Sequence, residues 1–203
     1  VTRLLLIRHA PTPITGKLLT GRLAGYPLDE NGLAIAAELA ERLAGLRLAA
    51  VYASPLERTW QTAQAVASVQ GLKPIRHAGL LEVDYGRWSG RSLASLRRLS
   101  GWKTVIVAPS RMTFPEGESM LAAQVRVVTA CEEVAARHPK ATVALVAHAD
   151  PIKAALSHYL GQPFDLFQRI GCGPASVSVV DLAPAAPPRV VAVNTNGDRS
   201  QWP

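Results

Sequence analysis

The sequence predicts an α/β fold of three layers, helix on sheet on helix, around a mostly parallel central sheet. Three observations carry that expectation. Leu4–Ile7, Leu48–Ala53 and Thr142–Ala147 are short apolar runs without polar alternation, the pattern of strands covered on both faces. Helical segments with one apolar stripe stand between these runs, as right-handed crossovers between parallel strands require. The 203 residues, 48% of them hydrophobic, are enough for one domain spanning residues 1–203 with a core that needs no covalent or metal staple.

Composition narrows the function classes. No apolar run approaches the roughly twenty residues that span a bilayer. The opening residues lack the charged, apolar and small-residue zones of a secretory leader, so no signal peptide is expected. Cys131 and Cys172 lie far apart without ligand spacing, which argues against a disulfide framework or a zinc site and for a cytoplasmic location. The net charge of +7 comes from Lys and Arg scattered singly or in pairs such as Arg97-Arg98. That is a solvated basic surface able to steer small phosphorylated substrates, not a nucleic-acid-binding block. Neither nucleic acid nor membrane is expected as a partner, and no oligomeric state is assigned.

The elements follow in order. The first strand ends on Arg8 and His9, and ligands of open α/β sheets bind beyond the carboxyl ends of strands. Pro11–Leu28 is rich in Pro, Gly and Thr, carries Lys17 and Arg22, and is long enough to be a binding loop. Asp29–Gly32 supplies cap-type residues for a helix with Leu33, Ala36, Ala37, Ala40 and Leu43 on one face, ended by Gly45. Leu48–Ala53 then runs into Ser54-Pro55-Leu56-Glu57-Arg58-Thr59. Here Ser54 and Glu57 have capping-box spacing and Pro55 suits the first helical position. An Arg in a first helical turn opposes the helix dipole, which suggests that Arg58 serves a bound anion; the alternative reading is an Arg that reaches back to solvent or to Glu57.

That helix continues through Ala67, with a short strand at Lys73–His77. Leu80–Gly90 mixes acids, aromatic residues and turn glycines, and a surface loop seldom needs Tyr85 and Trp88 so close together. Ser92–Leu99 suits a short helix, and Gly101–Glu118 reads as an irregular excursion, a lid or pocket wall. A long helix from Glu118 places Leu121, Val125, Val128 and Ala135 at helical spacing and stops at Pro139, with Cys131 a packed residue. Thr142–Ala147 ends at His148. Asp150 and Pro151 follow as N-cap and first helical residue of a helix striped by Ile152, Ala155, Leu156, Tyr159 and Leu160. Val177–Leu182 and Arg189–Val193 complete the sheet, and 194–203 reads as a tail.

Three strand ends thus deliver Arg8, His9, Arg58 and His148 to one edge of the sheet, with Glu82 in reach. Such a set suits a phosphoryl group: Arg offers forked donors to phosphate oxygens, imidazole is a nucleophile or a donor, and a carboxylic acid can protonate a departing oxygen. At these positions the sequence resembles the histidine phosphatase superfamily, also called phosphoglycerate mutase-like. Arg8-His9-Ala10 is similar to its Arg-His-Gly signature, Ser54–Ala63 to its second-arginine motif, and Leu81-Glu82 with Tyr85–Gly90 to its acid loop. Phe114–Ser119 and Val146-Ala147-His148 match two further landmarks in the correct order.

The resemblance implies a phosphoglycerate mutase-like fold, His9 as the nucleophile that becomes phosphohistidine, and Arg8, Arg58 and His148 as ligands of the phosphoryl oxygens. It implies Glu82 as proton donor to the leaving group, with no metal and no cofactor. Clustered cations are expected to keep His9 neutral. Ala10 and Ala149 stand where the family usually has glycine, so their methyl groups are expected to crowd a close approach to phosphate. Thr15 stands in place of a frequent phosphate-binding Asn and keeps a hydroxyl for that role. Hydrolysis of a small phosphomonoester is favoured over a phosphomutase, because the chain after Gly90 lacks the glycolytic mutases' substrate-binding pattern. A non-catalytic phosphate-binding module is the third reading. Substrate choice is assigned to Pro11–Leu28 and Gly101–Glu118.

Overall fold

The structure, a computed structural model, describes residues 1–198, Ser200 and Trp202. In chain order its elements are β1 (Thr2–Arg8), β2 (Leu18–Leu19), α1 (Glu30–Leu43), β3 (Leu48–Ala53), α2 (Glu57–Ser68), β4 (Ile75–Arg76), β5 (Arg91–Ser92), α3 (Leu93–Leu96), α4 (Ser100–Val107), α5 (Met120–Arg137), β6 (Thr142–Ala147), α6 (Ala149–Tyr159), β7 (Val177–Ala183) and β8 (Ala186–Thr195). The main sheet has the order β4-β3-β6-β1-β7-β8. Its first four strands are parallel, and β7 and β8 close it as an antiparallel pair beside β1.

Alternation along β1 divides the interior. Leu4 and Leu6 pack with the apolar sides of α5 and α6, whereas Leu5 and Ile7 pack with those of α1 and α2. Both faces of the strand are therefore covered, which is why it reads as an unbroken apolar run. Register then places the site. Arg8 pairs with Ala147 and Ala53 with Val146, so the three strands stop level with one another. The residues that follow leave the same edge side by side: His9 N donates to Ala147 O at 3.1 Å and Ser54 N to Val146 O at 3.0 Å.

Several elements differ from the sequence expectation. The buried side of α1 is Gly32, Ala36, Leu39, Ala40 and Leu43, leaving Ala37 and Leu33 exposed, Leu33 by 47%. The cause is Gly32, where any side chain would strike the carbonyl of Pro11; the helix turns its smallest residue to the loop and Leu33 to water. Likewise α5 buries Met120, Ala123, Val127, Cys131 and Val134, while Leu121 and Val125 face solvent. Leu160, the last member of the stripe expected on α6, is also half exposed.

Gly101–Glu118 is not irregular throughout. It contains most of α4 and a 3₁₀ turn at Pro109–Arg111, and its Trp102, Met112 and Phe114 are drawn into the core against Trp88 and Tyr85. β7 and β8 are longer than the apolar residues alone suggest, and β2 and β5 form a separate two-stranded ribbon. Of the stretch read as a tail, Asn194 and Thr195 belong to β8, Trp202 Nε1 donates to Thr195 Oγ1 at 3.3 Å, and Arg199, Gln201 and Pro203 lie outside the described residues.

Candidate active site

His9 follows β1 and is nearly buried. Its Nδ1 lies 2.7 Å from the carbonyl oxygen of Ala10. A carbonyl can only accept, so Nδ1 carries the ring hydrogen and the neutral ring holds a free lone pair on Nε2. Burial, then the positive charges of Arg58 and Arg8, lower the imidazole pKa to about 3 against the pull of the Ala10 bond. The ring is neutral at physiological pH, and burial is the largest single cause.

Three nitrogen groups surround this ring with unused hydrogen-bonding capacity. Arg8 donates from Nη1 to Cys172 O at 2.6 Å, yet its buried Nε has no partner among the described residues. Arg58, only 2% exposed, donates from Nη2 to Gly21 O at 2.8 Å and leaves Nη1 unpartnered. His148 is fully buried, its Nε2 is 2.9 Å from Ser54 Oγ, and its Nδ1 is unpartnered. The His9 and His148 ring centres are 5.3 Å apart. Burial and the neighbouring cations hold His148 well below the ordinary histidine range. Buried guanidinium and imidazole nitrogens without partners are costly, and an anion is the kind of group that can accept from them.

A cavity of about 200 Å³ opens beside these groups, bordered by Arg8, His9, Arg58, Glu82, Tyr85 and Asp150 and by the loop residues Thr12, Ile14, Thr15, Leu18 and Leu19. Two carboxyl groups face it in opposite states. Glu82 is pushed up to about 7 by burial and then by the negative charge of Asp150, against the Val83 N–H at 2.9 Å and the charges of Arg58 and Arg8. Burial works to raise Asp150 as well. There the ammonium of Lys153 at 2.8 Å and the hydroxyl of Tyr85 at 2.7 Å outweigh it and hold Asp150 below the ordinary carboxylate value. A carboxyl that holds its proton up to about neutral pH and a neutral imidazole with a free nitrogen are chemically able to act as acid and nucleophile.

The acid loop is held from behind. Arg22 donates to Glu82 O at 2.9 Å and to Glu118 Oε1 at 2.9 Å, and Arg126 donates to Leu81 O at 2.8 Å while pairing with the same Glu118 carboxylate at 2.6 Å. Asp84 serves the turn, accepting from Gly86 N at 3.0 Å, and does not border the cavity.

Comparison with known proteins decides the family. Residues 4–196 match the model of the histidine phosphatase superfamily, branch 1. The chain belongs to this superfamily. It is 32% identical over 187 residues to phosphoserine phosphatase 1 of Hydrogenobacter thermophilus, covering 90% of this chain and 87% of that one. It is 30% identical over 178 residues to a probable phosphoglycerate mutase of Enterobacter, covering 87% and 83%. Among solved structures, Bacillus stearothermophilus YhfR superposes with a TM-score of 0.89 at 25% identity, covering 96% of this chain and 98% of that one. Some mycobacterial relatives are longer, and the chain spans 54% of their length.

The expected histidine phosphatase residues converge: Arg8, His9, Thr15, Arg58 and Glu82 border the cavity, and His148 lies buried beside His9. Thr15 Oγ1 accepts from Thr12 N at 2.9 Å and lies 3.1 Å from Thr12 Oγ1, which fixes the loop where it meets the cavity. Other expectations are corrected. Ser54 and Glu57 form no capping box: α2 begins at Glu57, Ser54 is engaged with His148, and Glu57 Oε1 accepts from Gly25 N at 2.9 Å. Asp150 is no N-cap but the partner of Tyr85 and Lys153, and His148 takes the cap position. Ala10 turns into the core and does not border the cavity, whereas Ala149 does. Of Gly101–Glu118, no residue borders the cavity, whereas Thr12, Ile14, Thr15, Leu18 and Leu19 of Pro11–Leu28 do.

Ser54 and Asp150 are the residues that sequence reading missed. The Ser54 contact follows from β3 and β6 being neighbours, which is not a local signal. Asp150 had one: Lys153 three residues on is the spacing of a helical ion pair.

Proposed function

We propose that the chain hydrolyses small phosphomonoesters through a phosphohistidine at His9. The observation that carries this reading is the ring of unpartnered buried nitrogens, Arg8 Nε, Arg58 Nη1 and His148 Nδ1, around an imidazole whose Nε2 is free. Phosphoryl transfer needs positioning and neutralisation of charge, and these groups supply both. The phosphoryl oxygens accept from Arg8, Arg58, the Thr15 hydroxyl and His148. Ser54 donates its hydroxyl hydrogen to His148 Nε2, which leaves the ring hydrogen on Nδ1 for the phosphate.

His9 Nε2 attacks phosphorus as the P–O bond to the leaving group breaks, and Glu82 gives its proton to the departing oxygen. The alcohol leaves and water takes its place. Glu82, now a carboxylate, accepts a proton from that water as it attacks phosphorus and breaks the P–N bond, returning free phosphate and neutral His9. Among the described residues no group of three or more His, Cys, Asp or Glu is placed to hold a metal. The reading calls for no metal, cofactor, nucleic acid or membrane. No described helix is long and apolar enough to cross a bilayer. Both cysteines are free, which supports a reducing, cytoplasmic setting.

The mutase reading is kept by one observation, the 30% identity to a probable phosphoglycerate mutase. A panel of phosphomonoesters, assayed in excess chelator for phosphate release beside isomer interconversion, separates the two. Phosphate release without interconversion is expected. Interconversion exceeding release, or activity that needs added divalent metal, contradicts the proposal.

A further inference from the structure

Beyond the groups that hold phosphate, the cavity wall has a one-sided character. Ile14, Leu18, Leu19 and Leu93 line it, and Asp150 is its charged member. Arg8 and Arg58 are the only cations among the described residues on its border, and the proposed phosphoryl site uses both. The cations nearby are committed elsewhere. Arg22 serves Glu82 O and Glu118, and Lys153 is paired with Asp150 and donates to Gln168 at 2.7 Å. Lys17 and Arg91 are exposed and lie outside the wall, with Lys17 Nζ donating to Pro13 O at 3.0 Å.

The wall has a defined origin. Leu18 and Leu19 form β2, Leu93 begins α3 directly after β5, and Gly90 N and Leu93 N donate to Leu19 O at 2.8 Å and Lys17 O at 2.9 Å. The ribbon thus holds three leucines at the cavity. An ester whose alcohol carries a carboxylate or second phosphate would lay that charge against leucines and the cavity-facing carboxylate of Asp150, whose partner Lys153 lies off the border, with no spare cation on the border to receive it. An uncharged alcohol loses nothing there, and an ammonium group gains from Asp150.

We infer that the released alcohol is uncharged or cationic and bears no acidic group, with Leu18, Leu19, Leu93 and Asp150 as the residues that select it. This rests on the phosphohistidine hydrolase reading above and goes against a simple transfer of substrate from the relative named as a phosphoserine phosphatase.

Two pairs of esters test it, each differing by one carboxylate: phosphoethanolamine against phosphoserine, and glycerol 3-phosphate against 3-phosphoglycerate. With the native enzyme, kcat/KM is expected to be at least about tenfold higher for the first member of each pair, since like charges at close range in a partly dry site cost at least that much. In Asp150→Asn, which keeps an acceptor for Tyr85 and frees the charge of Lys153, the gap should narrow at least about threefold. Equal values within the pairs, or a preference for the carboxylated members, would overturn the inference while leaving phosphohistidine formation intact. A gap unchanged in Asp150→Asn would remove Asp150 from the selection. Failure of all four esters and of phenyl phosphate to label His9 would reject the underlying hydrolase reading instead, and the native measurements stand if the variant does not fold.

Discussion

The floor and the rim of the cavity are built in different ways. The floor, Arg8, His9, Ser54, Arg58 and His148, comes from the ends of three adjacent parallel strands and the helix that follows one of them, at a level fixed by strand register and with every member but the half-buried Arg8 buried. The rim, Ile14, Leu18, Leu19 and Leu93, comes from a loop and a two-residue ribbon that are only partly buried. In the proposed function the floor meets what every phosphomonoester has in common, and the rim meets what distinguishes one from another. Rigid support belongs where geometry must not vary, and a shallow attachment is enough where shape and polarity do the selecting.

Breaking the floor at its centre should have the largest effect. His9→Ala removes the proposed nucleophile and is expected to lower kcat by roughly 10⁶-fold, the scale seen when a covalent nucleophile is deleted. A phosphate-release assay on purified, folded variant checks it.

Next comes the carboxyl pair at the junction of floor and rim. Glu82→Gln should slow phosphorylation by alkyl esters by about 10²- to 10⁴-fold, the range of a general acid, and by aryl esters far less because their leaving groups need little protonation. Asp84→Asn, two residues away but outside the cavity, should leave both classes nearly unchanged. In the native enzyme the acid form of Glu82 is lost as pH rises through about 7, while His9 stays neutral down to about 3. The alkyl-to-aryl ratio of kcat/KM should therefore fall with rising pH across neutrality, the ionisation of the phosphate ester being common to both. Equal losses for alkyl and aryl esters in Glu82→Gln would give Glu82 a bracing role instead.

The smallest of these effects sharpens the floor itself. Ser54→Ala removes the hydroxyl that orients His148, and the loss of one hydrogen bond should cost about two- to tenfold in kcat/KM. An unchanged value would show that burial alone positions the ring.

The same contrast explains what could be read from the sequence. Arg8, His9, Arg58 and His148 were legible because unbroken apolar runs mark covered strands, and chemistry-bearing residues at their ends stand out. The sheet and both helical layers followed from the same runs. The packing face of α1 was not legible, since Gly32 turned inward through contact with Pro11, a partner from another part of the chain. At Ser54 and Asp150 a local rule, the helix cap, gave one answer and tertiary contacts gave another. The ribbon is too short for any periodicity, so three of the rim's leucines carried no signal of their role.

The most direct test is to quench the native enzyme within a single turnover of labelled phenyl phosphate and locate the phosphoryl group. The account predicts an acid-labile, base-stable phosphoenzyme on Nε2 of His9, because Nδ1 is occupied by its bond to the Ala10 carbonyl. Label on another residue, label on Nδ1, or a full turnover with no phosphoenzyme at any time would contradict it.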